Sequence, residues 1–127
     1  MRRLAAVLVA LSLAWSAGTA AGAGGVPPFP RIPGAWSHVE INVAIARQPH
    51  TLILDRGRIV QASLAPSQIT LLESDGTTAV VPLSPQTVVM IDGRRASPYN
   101  LRLRMTAETM RIDGGSAVRV RAFAPHR

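Results

Sequence analysis

Residues 68–81 read Gln68-Ile69-Thr70-Leu71-Leu72-Glu73-Ser74-Asp75-Gly76-Thr77-Thr78-Ala79-Val80-Val81. Ile69 and Leu71 stand two apart, the spacing that puts side chains on one face of an extended strand. Asp75-Gly76 then interrupts two such runs, and an Asp-Gly pair flanked by alternating apolar residues is a hairpin signal, because the turn needs positive φ. The punctuation returns twice. Thr87-Val88-Val89-Met90-Ile91 leads into Asp92-Gly93, and Met105 to Ile112 lead into Asp113-Gly114-Gly115 before Ala117-Val118-Arg119-Val120-Arg121-Ala122-Phe123. Three Asp-Gly turns absorb three of the seven acidic residues, so Asp75, Asp92 and Asp113 read as turn formers rather than catalytic acids.

Outward from these hairpins the period stays at two. His38 to Ile45 alternate, with Val39, Ile41, Val43 and Ile45 on one face. Thr51 to Leu54 and Arg58 to Leu64 form an extended stretch interrupted at Asp55-Arg56-Gly57, where glycine permits a bulge or bend. In the last strand, Val118, Val120 and Ala122 share one face, and Arg119, Arg121 and Phe123 the other. Ser97-Pro98 starts a single helical turn, with Ser97 as N-cap. Six or seven short strands around one apolar core leave long edges unless the sheet closes. The expected fold is therefore all-β, a small OB-like or SH3-like barrel, with a two-sheet β-sandwich as the alternative.

The start of the chain reads as an address. Met1-Arg2-Arg3 precede an uncharged apolar run from Leu4 to Trp15, and Ala21-Gly22-Ala23 fits the small-residue cleavage rule. That run is short of the roughly 20 apolar residues that span a bilayer. Residues 1–23 are thus expected to be a signal peptide cut before Gly24, leaving a secreted or periplasmic protein. Residues 24–35 hold Pro27, Pro28, Pro30 and Pro33 and read as an extended or disordered lead-in, a tether, since proline fixes φ and donates no hydrogen bond. Residues 36–127 are expected to form a single β domain.

The composition removes whole classes of chemistry. The chain of 127 residues contains no cysteine, which excludes disulfides, thiolate metal sites and thiol redox chemistry. Nucleophile-elbow, phosphate-loop and H-E-x-x-H motifs are missing. The net charge is +7, all fourteen basic residues being Arg, and loss of Arg2 and Arg3 with the leader leaves +5. Such a surplus favours anionic polymers or surfaces.

Asp55-Arg56-Gly57-Arg58-Ile59-Val60, Ile69-Thr70-Leu71, Asp75-Gly76, Thr87 to Ile91, Asp92-Gly93-Arg94-Arg95-Ala96 and Val118-Arg119-Val120 together resemble the small exported bacterial β-barrel domains of unknown function numbered 5666 in that class. The resemblance covers about residues 56–123 and implies a barrel in the cell envelope; it brings no catalytic residue. That family has a glycine after the Leu-Arg that follows its short helical turn, where this chain reads Leu101-Arg102-Leu103-Arg104-Met105.

Candidate ligand sets are sparse. His38 and Glu40 share a strand face and would need His50 or His126 to hold a metal, so exposed polar positions are the simpler reading and no metal or cofactor is expected. Glu40, Asp55, Glu73 and Glu108 fall on separate elements and imply no carboxylate pair. The binding residues expected are Arg111, Arg119 and Arg121. Arg119 and Arg121 project from one face of the last strand and Arg111 lies across the preceding hairpin, and guanidinium forks suit phosphate and carboxylate oxygens. With few aromatic residues, nucleic acid is a poor partner. The functional expectation is an exported, noncatalytic envelope module that binds an anionic polymer or a protein partner. The alternative is a small envelope hydrolase or transferase.

Overall fold

Strand β2 is the spine of the molecule. The computed structural model describes residues 26–125, so the leader, its cleavage site and His126 lie outside the described residues. Within them Gln48–Leu64 run as one strand of 17 residues, β2. One edge of β2 carries β7 (Thr106–Ile112); the other carries β1 (His38–Ile45) along residues 48–55, then β3 (Ser67–Leu72) along 58–64. β3 hairpins into β4 (Thr78–Pro82), and β7 into β8 (Ala117–Phe123). β8 takes β5 (Val88–Ile91) in parallel, and β5 turns into β6 (Arg94–Ala96). The result is one eight-stranded sheet in the order β4-β3-β2-β7-β8-β5-β6, with β1 beside β2.

The fold is all-β, as expected, and its sheet is open. Val81 of β4 and Val89 of β5 nevertheless pack into one cluster with Ile59, Leu71 and Val120, and Ala96 of β6 lies against it. The sheet therefore curls until both ends border one core. On its other face Ile41, Leu52, Leu54 and Met110 form a second cluster, with Val39, Val43 and Ile45 of β1 beside it. Val26, Phe29, Ile32 and Trp36 cover this face. The lead-in joins no strand or helix, yet it is packed against the sheet rather than a loose tether. A segment with four missing N–H groups cannot join a ladder, so it attaches through side chains and carbonyls.

Gly76, Gly93 and Gly114 take positive φ of 84°, 78° and 76°, as the Asp-Gly turns demand. Gly57 departs from expectation: it lies inside continuous β2, where an added Cβ would stand 2.5 Å from the Leu72 carbonyl oxygen. It permits close approach of two backbones, and the register shift falls later, between Ile59 and Gln61. A second shift separates the pairs Met110–Arg119 and Arg111–Ala117, leaving Val118 as an extra residue on β8. Val118 consequently joins the second cluster, while Ala117, Val120 and Ala122 stay in the first. This corrects the strict alternation expected for the last strand. Pro98–Asn100 form the short turn as a 3₁₀ helix, with the Ser97 N–H donating to Asn100 Oδ1 at 3.0 Å. The bend after it is made without glycine, by Arg104 at φ 74°.

Candidate functional site

A row of charge crosses the middle of the sheet under the lead-in. Register sets Arg56 of β2 directly opposite Glu108 of β7, and Glu108 opposite Arg121 of β8. Glu108 is buried, yet its carboxylate accepts from both neighbours: Arg56 Nε reaches Oε1 at 3.0 Å and Arg121 Nε reaches Oε2 at 3.1 Å. Charge-assisted bonds from two forks offset the cost of burying a carboxylate. Aromatic rings from the lead-in complete the row. The Arg56 guanidinium carbon lies 4.2 Å from the Trp36 ring centroid, and that of Arg121 lies 4.9 Å from the Phe29 centroid, both cation–π distances.

A cavity of about 360 Å³ opens between these layers, lined by Phe29, Pro30, Arg31, Ile32, Pro33, Trp36, Arg56 and Arg121. Arg31, Arg56 and Arg121 line it, and the Glu108 carboxylate pairs with the latter two. The Trp36 indole N–H is buried beside it without a hydrogen-bond partner among the described residues.

Of the three arginines expected to bind, Arg121 is the one that lines this cavity. Arg119 shares its face, one row along, but is committed to the chain itself: Nε donates to the Pro27 carbonyl at 2.7 Å and Nη2 to that of Val26 at 2.9 Å. It holds the lead-in down. Arg111 folds back onto its own turn, donating to the carbonyls of Gly115 at 2.9 Å and Gly114 at 2.7 Å. The expected single basic cluster is thus divided among three tasks. Arg56 went unread in the sequence because pairing of β2 with β7 brings together positions 52 residues apart, and Arg31 and the aromatic pair because the lead-in is placed by packing on the sheet.

A second constellation sits where β1 and β3 meet on the edge of β2. His38 Nδ1 lies 2.7 Å from Asp55 Oδ1, and Nε2 lies 3.3 Å from Glu40 Oε1, so the shared face expected of His38 and Glu40 is present. Their partner is not His50, which pairs with Asp113 near the far end of β1. Burial, followed by hydrogen bonding to Asp55 and the Asp55 charge, pushes the Glu73 carboxyl up to about 7. Burial acts to lower the His38 pKa, but the Asp55 hydrogen bond and charge, aided by Glu40 and Glu73, outweigh it and leave the pKa raised. Asp75 accepts from the Thr77 N–H at 3.0 Å within its own turn, and Asp113 accepts from the Thr51 N–H at 2.8 Å, which ties the β7–β8 turn to β2. The Thr77 hydroxyl, then its N–H, hold the Asp75 carboxyl below the usual carboxylate range, and the Thr51 N–H, then His50, do the same for Asp113.

Compared with family models, curated proteins and solved structures, the chain finds no match, so the resemblance to the exported barrel domains rests on the quoted residues alone.

Proposed function

We propose that the protein is an exported, noncatalytic binding module of the cell envelope whose ligand carries a phosphate or carboxylate on an apolar or planar body. The carrying observation is the pairing, in one cavity, of Arg56 and Arg121 with the rings of Trp36 and Phe29. Stacked guanidiniums keep their remaining N–H donors in the ring plane's periphery, where an oxyanion meets two at a time. Glu108 orients both forks and leaves part of their charge uncompensated. The apolar leader and the basic surplus support an envelope location with anionic partners.

The test compares wild type with an Arg56→Gln, Arg121→Gln double variant for retention on purified cell envelope at rising salt. Salt-sensitive retention that the double variant loses supports the reading. Equal retention of both proteins, or retention indifferent to salt, refutes it. Turnover in a broad hydrolase and transferase screen would favour the enzymatic alternative.

A further inference from the structure

β1 and β3 reach the same edge of β2 from opposite ends. At their seam stand His38, which opens β1, Asp55 of β2, and Glu73, the first residue past β3. One ligand atom from each lies within 4.8 Å of the others. Gly57 lets the end of β3 close in at this point, its α-carbon face pressed on Leu72 and the Glu73 nitrogen.

The charge balance is an independent observation. Asp55 is 3% exposed and Glu73 7%, and a carboxylate oxygen of each lies within 4.8 Å of the other. Arg56, the guanidinium next in sequence, is engaged by Glu108 instead. Asp55 receives its hydrogen bond at Oδ1, from His38. Glu73 has Thr77 Oγ1 at 3.1 Å from Oε2, but that hydroxyl has one proton and a shorter contact of 2.6 Å to Asp75. Among the described residues no donor reaches Asp55 Oδ2 or Glu73 Oε1. Two largely buried carboxyl groups this close favour positive charge between them, either a shared proton or a cation.

We infer that His38, Asp55 and Glu73 form a three-ligand seat for one divalent transition cation. An imidazole nitrogen with two carboxylate oxygens is a donor set that Zn²⁺ accepts, at about 2.0–2.2 Å from each ligand. Two of the ligands are held by burial, while the His38 side chain, 39% exposed, leaves the seat an entrance from solvent. A small rotation of that imidazole exchanges its hydrogen bond to Asp55 for a shared ion. The cation takes the place of the proton that otherwise separates the carboxyl groups.

The experiment uses the full-length, untagged chain, stripped with EDTA and titrated calorimetrically with ZnCl2 at pH 7.5. One saturable site per chain is expected, with affinity at least tenfold weaker in Asp55→Asn and in Glu73→Gln and unchanged in His50→Ala. Zn²⁺ should also raise the melting temperature of wild type but not of Asp55→Asn. Should the buried variants fail to fold, His38→Ala at the exposed rim carries the comparison and should show the same weakening. Absence of a saturable site, or equal affinity in wild type and the folded ligand variants, overturns the assignment and leaves the shared proton as the neutralising charge.

Discussion

Replacing Gly57 by Ala tests how the sheet is held at the seam. The new Cβ would lie 2.5 Å from the Leu72 carbonyl oxygen, 2.9 Å from its carbon and 3.2 Å from the Glu73 nitrogen, all backbone atoms that cannot rotate away. An ordinary contact is about 3.4 Å or more, so β2 and β3 must part by roughly 0.9 Å, enough to stretch a ladder hydrogen bond beyond use. Overpacking costs about 1–3 kcal/mol, and a lost buried backbone bond adds about 1 kcal/mol. The expected destabilisation is therefore about 2–4 kcal/mol, a fall in melting temperature on the order of 10–25 °C for a domain of this size. Gly76→Ala provides the contrast, because φ is 84° there but nothing lies within 4 Å. It should cost only about 1 kcal/mol. Thermal and urea unfolding followed by circular dichroism measure both. If Gly57→Ala melts no lower than Gly76→Ala, the close approach of β3 to Gly57 is wrong.

Ala46 and Arg47 form the β1–β2 turn with φ of 50° and 65°, a left-handed pair without glycine or asparagine. Replacing them by Asn-Gly should stabilise the protein by about 1 kcal/mol, read as a higher urea midpoint at unchanged slope. Arg119→Ala should release the lead-in at a cost of about 1–2 kcal/mol, with Trp36 emission shifting to the red; an unshifted spectrum would show that those carbonyl bonds do not hold the segment. Acidity provides a third check, in EDTA. Glu73, raised from the ordinary 4.5 to about 7, keeps a proton in the fold that the unfolded chain releases. His38, raised above 6.5, contributes stability that is complete below 6.5 and lost as pH rises through its folded value. Both make stability fall between about pH 5 and 8. The urea midpoint should drop over that interval and the Glu73→Gln variant should flatten it, whereas a rising midpoint in wild type would contradict the buried pair.

Local pattern carried the strands because the signals are local. The Asp-Gly pairs require left-handed backbone wherever they fall, and Val39, Ile41, Val43, Ile45, Ile69 and Leu71 declare their face by spacing alone. The Ala46-Arg47 turn was not legible, since neither residue favours positive φ, and its geometry is imposed by pairing along all of β1. Val118 misled for a related reason: a bulge is a property of two strands, invisible in either one. The sites were harder still. Arg121 was legible as a basic residue opposite an apolar face, but its partner Glu108 depends on the β7–β8 register, and Arg56 depends on β2 reaching β7. His38, Asp55 and Glu73 become neighbours because β1 and β3 share one edge of β2, and no spacing in the sequence states that. Prolines of the lead-in announced a segment outside the strand ladders, while the packing of Phe29 and Trp36 needed the second apolar face to be known.

The central claim is that the cavity beneath the lead-in receives an anion between its aromatic-backed guanidiniums. With Trp15 replaced by Phe, Trp36 is the one indole left in the chain and reports on that cavity directly. Titration with phenyl phosphate, followed by Trp36 fluorescence at low salt, should give a saturable change. Phenol should not reproduce it, added salt should weaken it, and Arg56→Gln with Arg121→Gln should abolish it. A phenol response equal to that of phenyl phosphate, or an undiminished response in the double variant, would contradict an anion seat at Arg56 and Arg121.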